Sequence, residues 1–79
     1  MKIQVLLFGI LKDLIDETKL KIDLDKSITI FEFKELLVEK YSNIKSYNFS
    51  VAVNEVYQQD TYLLKNGDVV ALIPPVSGG

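Results

Sequence analysis

The 79-residue chain contains no cysteine, histidine, tryptophan or arginine. Without cysteine there is no disulfide framework, thiolate metal site, iron–sulfur cluster or thiol nucleophile. Without histidine the commonest general base and the commonest zinc ligand are missing, and no serine or threonine has the partner that activates it. All nine basic residues are lysine, so the bidentate guanidinium clamp on phosphate or carboxylate is absent too. A net charge of −2 leaves no basic field to displace counterions, and no nucleic-acid partner is expected. The four glycines, at positions 9, 67, 78 and 79, are not spaced as a phosphate-cradling loop. No run approaches the ~20 apolar residues of a membrane span, so no membrane partner is expected. Neither catalysis by this chain alone nor a bound cofactor or metal is expected.

What is present suits one small folded domain. The length is enough for one hydrophobic core and too short for two. With 48% hydrophobic residues and little net charge, disorder is excluded, and nearly every apolar side chain is needed in the core. Met1-Lys2 followed by Ile3, Val5, Leu6, Leu7 and Phe8 has the opening of a secretory signal. Lys12-Asp13 follows at once, however, and no small-residue cleavage site appears. A first strand explains the same residues, and a cytoplasmic location is expected.

Periodicity organises the rest. Lys2–Phe8 reads as a strand apolar on both faces, which predicts a central position covered on both sides, and Gly9 ends it. Leu11–Glu17 reads as a connection with at most a helical turn at residues 12–15. Thr18–Leu24 alternates, with Leu20, Ile22 and Leu24 on one face. Thr29 and Glu32 form a capping-box pattern, which starts a helix carrying Ile30, Phe33, Leu36, Leu37 and Tyr41 on one side. Phe49, Val51 and Val53 mark a third strand, Asn54-Glu55 a tight turn, and Val56-Tyr57 a short fourth strand. Residues 58–65 read as a loop with Leu63 and Leu64 turned inward. Asn66-Gly67 is a turn, and Val69–Ile73 is a second doubly apolar strand, stopped by Pro74-Pro75. The predicted class is α+β, with about five strands in a mixed sheet and one main helix on one face. The two doubly apolar strands, first and last, are expected to be central neighbours. The β-grasp (ubiquitin-like) arrangement meets this by running them parallel.

Candidate sites in the body are weak. Glu32, Glu35 and Glu39 form a solvated helix face rather than a docking stripe. Asp13, Asp16 and Glu17 lack calcium-loop spacing and read as an exposed acidic turn. Lys65 reads as a turn lysine rather than a Schiff-base former. The division is therefore a domain at 1–75 and a flexible tail at 76–79. Two readings of Gly78-Gly79 stand side by side on the residues alone. One is a poorly ordered end. The other is an extended strand without Cβ atoms, slim enough to enter a narrow cleft and present a carboxylate.

The segment Gly67-Asp68-Val69-Val70-Ala71-Leu72-Ile73-Pro74-Pro75-Val76-Ser77-Gly78-Gly79 resembles the C-terminus of the molybdopterin synthase small subunits, the MoaD-type sulfur carriers. Ala52-Val53-Asn54, Val5-Leu6-Leu7-Phe8 and Thr29 support the resemblance, which covers essentially the whole chain. A Gly-Gly end is shared with ubiquitin-like modifiers and thiamine-pathway carriers, whereas Pro-Pro-Val-Ser is more like the molybdenum-cofactor branch. The resemblance implies that the Gly79 carboxylate is adenylated by a ubiquitin-activating-type enzyme using ATP and then becomes a thiocarboxylate. It implies that Val76, Ser77 and Gly78 thread into the large synthase subunit, where the sulfur is used. It also implies that Tyr57 and Ile73, with Pro74 and Pro75 at the root of the tail, meet that subunit. The alternative on the residues alone puts Ile73 in the core and makes Tyr57 an ordinary exposed edge aromatic.

Overall fold

In the computed structural model, which describes residues 1–75, eight short elements follow one another. They are β1 (Lys2–Leu7), α1 (Gly9–Ile15), β2 (Lys19–Asp23), α2 (Ile30–Lys40), a 3₁₀ turn (Ser42–Ile44), β3 (Ser50–Val53), β4 (Val56–Tyr57) and β5 (Val69–Ile73). The five strands form one mixed sheet in the order β2-β1-β5-β3-β4. β1 and β5 are neighbours near the middle and run parallel, while every other pairing is antiparallel. The expected central pair is therefore present, and with it the β-grasp arrangement.

Alternation explains the one-sided core. Ile3, Val5 and Leu7 of β1, Val70 and Leu72 of β5, and Val51 and Val53 of β3 point to one face and are buried. Onto that face α2 lays Ile30, Phe33 and Leu37, all fully buried. Ile44 of the 3₁₀ turn and Leu11 and Ile15 of α1 join the same cluster. No helix among the described residues is long and apolar enough to cross a membrane.

The start of α2 shows how local chemistry selects an element. The Thr29 hydroxyl accepts from the Glu32 backbone N–H at 3.2 Å, and the Thr29 N–H donates to Glu32 Oε1 at 3.0 Å. This reciprocal cap satisfies two otherwise orphaned donors. The Thr29 backbone N–H, and after it the Thr29 hydroxyl, hold the Glu32 carboxyl below the usual carboxylate range. A carboxyl depressed in the folded state stabilises above its unfolded value, and that contribution fades as pH falls through the folded value. Thr29→Ala is accordingly expected to cost about 1 kcal/mol at neutral pH. In urea melts the gap to the parent should narrow in acid without vanishing, because the Thr29 oxygen still accepts from Glu32 N–H. An equal gap at both pH values would count against the coupling.

Three expectations need correction. Residues 9–15 form a helix, not a connection with one turn. Gly9 takes φ +56° and begins it, and Asp16 closes it at φ 64° with its N–H on the Lys12 carbonyl at 2.8 Å. Two buried anchors four residues apart, Leu11 and Ile15, are too few for the periodicity to register. Second, Leu64 is buried but Leu63 is 52% exposed. Leu63 forms a bridge with Thr29, and neighbours in extended chain point opposite ways. Third, β1 and β5 are central but covered on one face only.

Candidate functional site

The uncovered face of the sheet is where the structure departs most usefully from expectation. Register aligns Leu6 of β1 with Ala71 of β5, Ala71 with Ala52 of β3, and Ala52 with Tyr57 of β4. Directly opposed residues share a face, so these four side chains form a row across the bare side. Two alanines in the middle leave a depression between bulkier neighbours. The result is a hollow of about 560 Å³, lined chiefly by Leu6, Phe8, Val69, Ala71, Ile73 and Tyr57. Phe8 is 47% and Tyr57 65% exposed. Glu55 is the single carboxylate among the residues lining it. A contiguous apolar surface with a polar rim marks a place to be covered. Glu55 and Tyr57 are the titratable side chains among the residues lining the hollow.

The rim is held by a clasp of hydrogen bonds. Asn54 and Glu55 form the β3–β4 turn with φ of 51° and 73°, both left-handed, as the right-handed twist of a two-residue hairpin requires. Asn54 Nδ2 donates to Asp68 Oδ1 at 3.0 Å, and Asn54 Oδ1 accepts from Val69 N–H at 3.0 Å. Asp68, 6% exposed, also accepts from Lys65 N–H at 2.8 Å. The side chain of one turn thus locks the start of β5 against β3. Asn54→Ala is expected to remove both bonds and leave a buried carboxylate oxygen without its donor, at a cost of about 2–3 kcal/mol. A chemical melt should read this as a lower midpoint with an unchanged slope, and a parent-like midpoint would discount the clasp.

β5 leads directly from the hollow to the tail. Ile73 is half-buried and lines the hollow, not the core, and exposed Tyr57 stands on its edge. Pro74 follows Ile73 and packs beside the first turn of α1, where a Cβ on Gly9 would stand 3.0 Å from Pro74 Cγ. Gly9 therefore serves in two ways, taking a left-handed φ and leaving room for the proline. Pro75 is exposed. Of the sequence-derived candidates, the structure brings Tyr57 and Ile73 to the hollow, while Pro74 packs against Gly9 and Pro75 is not among the residues lining it. Val76, Ser77, Gly78 and Gly79 lie outside the described residues, as does the expected flexible tail. Sequence reasoning missed Leu6, Phe8, Ala52 and Ala71, although the second apolar face of β1 and β5 was their signal. Among the described residues no three carboxylates are placed to hold a metal ion.

Comparisons with known proteins bear on the family and the fold. The ThiS family profile matches residues 5–79. The molybdopterin synthase sulfur carrier subunit of Drosophila erecta is 37% identical over 81 residues, covering 98% of this chain and 90% of that protein. The solved structure of a putative molybdopterin converting factor subunit 1 from Pyrococcus furiosus superimposes with a TM-score of 0.89 at 24% identity, over 96% of this chain and 99% of that one. A protein–protein complex of subunits 1 and 2 of molybdopterin-converting factor from Helicobacter pylori contains a chain similar at 27% identity, with a TM-score of 0.69 and full coverage of both chains. The profile over residues 5–79 and the 37% identical relative show that the chain belongs to the ThiS family, with the MoaD-type sulfur carriers.

Proposed function

We propose that this chain is the sulfur-carrying small subunit of a molybdopterin synthase, its body a handle and its tail the working part. A separate enzyme of the ubiquitin-activating type joins the Gly79 carboxylate to AMP from ATP and releases pyrophosphate. Adenylation is needed because a carboxylate is a poor electrophile and AMP is a good leaving group. Hydrosulfide then attacks the acyl carbon, and its C–S bond forms as the C–O bond to AMP breaks. Loss of the S–H proton leaves a thiocarboxylate, whose soft sulfur is a better nucleophile than oxygen. The large synthase subunit covers the apolar hollow, takes Val76–Gly79 into its own site and uses the sulfur on a pyranopterin precursor. This chain binds no cofactor of its own, and both ATP and precursor belong to the partners.

The observation that carries the reading is the course of β5. Its half-buried residues Val69, Ala71 and Ile73 line the hollow, and in sequence Ile73 is followed at once by Pro74-Pro75 and the Gly-Gly tail. A protein seated on the hollow is thereby seated at the root of the tail. The 37% identical relative with the sulfur-carrier name supports the same reading. Intact-mass measurement of the chain purified from cells making the cofactor tests it. The expected species has one terminal oxygen replaced by sulfur. A ladder of protein conjugates without that species would instead make the chain a ubiquitin-like modifier, and dependence of thiamine synthesis on it would assign it to the thiamine pathway.

A further inference from the structure

The hollow occupies only part of the bare face. Opposite Leu6 on β2 stands Lys19, and Gln4 has Lys21 opposite it on one side and Val69 on the other. Opposed residues share a face, so both lysines stand on the side of the sheet that carries Leu6 and Val69, which line the hollow. Both lysines are exposed, and neither has an ion-pair partner among the described residues. Asp23, the other charged residue of β2 on this face, lies opposite Lys2. Asp13, Asp16 and Glu17 gather with Lys12 around the turn between α1 and β2. On a chain of net charge −2, the strip is a local reversal of sign. At the far side of the hollow stands Glu55, so the face is basic at one edge and acidic at the other.

Area brings the strip into play. Stable complexes cover roughly 800 Å² on each partner, more than a hollow of this size offers, so a bound protein extends past it. β2 lies only about 4.8 Å beyond β1. We infer that Lys19 and Lys21 are the electrostatic part of the docking face, and that the protein covering the hollow carries carboxylates against β2. The inference rests on the hollow being a docking surface and adds the charge class of its occupant. The apolar basin governs how long the complex lasts. The lysine strip, with Glu55 opposite, governs how fast and in which orientation it forms. Lysine on an edge strand also discourages edge-to-edge pairing, and that role alone would leave partner association untouched.

Association rates with the large synthase subunit of the same genome, at low and high ionic strength, test the assignment. The Lys19→Glu/Lys21→Glu chain should associate about tenfold more slowly at low salt, with a flatter salt dependence and a nearly unchanged dissociation rate. Lys19→Gln/Lys21→Gln should fall between this variant and the parent, and it carries the test if charge reversal disturbs folding in a thermal melt. Lys40→Glu/Lys45→Glu changes net charge equally on the helical side and should alter association by less than about twofold. Unchanged association of the β2 variants, or equal slowing by the helical-side variant, overturns the inference while the docking reading stands. No complex with the unsubstituted chain overturns the docking reading itself.

Discussion

Deleting Gly79, or adding one residue after it, is expected to abolish sulfur loading while leaving the fold intact. One added residue displaces the carboxylate by up to ~3.6 Å. Adenylation and sulfur transfer require the reacting atoms within roughly 3–3.5 Å and in line, so an offset of that size is beyond what a fixed partner site tolerates. The body has little stake in the change. Leu72 is the last buried residue of β5 and Pro75 is already exposed, so stability should stay within about 0.5 kcal/mol of the parent. Gly78→Val should be impaired for a separate reason, because its branched Cβ stiffens the backbone and widens the strand that must enter the partner. The readout is intact-mass detection of the thiocarboxylate after incubation with the activating enzyme, ATP and a sulfur donor. Normal loading of the extended chain would refute the role given to the Gly79 carboxylate.

Ile73→Asp should weaken the complex with the large subunit by at least about thirtyfold, equivalent to ~2 kcal/mol. A carboxylate at this position would be desolvated beneath the partner without a designed counter-charge, and the apolar contact would be lost as well. The domain itself should survive. Ile73 is half-buried on the bare face at the end of β5, and the side chains packed on α2 are those of Val70 and Leu72 on the other face. A binding titration paired with a thermal melt separates the outcomes. Parent-like affinity removes Ile73 from the interface, and loss of affinity through melting returns it to the core. Combining Ile73→Asp with Phe8→Ala should be less than additive, since both residues line one hollow and act on one contact.

Lys19 and Lys21 belong to a different class of effect. Their contribution acts across solvent and fades with salt, whereas the contact at Ile73 depends on excluding water and persists. Measuring both variants at two ionic strengths therefore separates encounter from residence.

Local chemistry made most of the scaffold legible in the sequence. Alternation in Thr18–Leu24 marks β2, the Thr29–Glu32 pair marks the first turn of α2, and Asn54-Glu55 and Asn66-Gly67 mark turns, because each signal is complete within a few residues. Apolar side chains on both faces of residues 3–7 and 69–73 predict a central, doubly covered position, and the strand order bears out the central place but not the double cover. The tail motif is legible for the same reason, since it is a run of consecutive residues. What covers a strand is not local information. The second face of β1 and β5 lies bare because both helices and the 3₁₀ turn contribute to one core, leaving nothing for the other side. Only register, between residues 19 or more positions apart, sets Ala52 beside Ala71 and Leu6 in one row, so the hollow has no sequence signature. Likewise α1 exists because two side chains, Leu11 and Ile15, find a core assembled by other elements. Sequence by itself thus determined the five strands, the main helix, their order and the residue run of the tail, through interactions that span one turn or one strand. Tertiary structure decided which apolar face stayed open and which charges border it, because long-range pairing sets both.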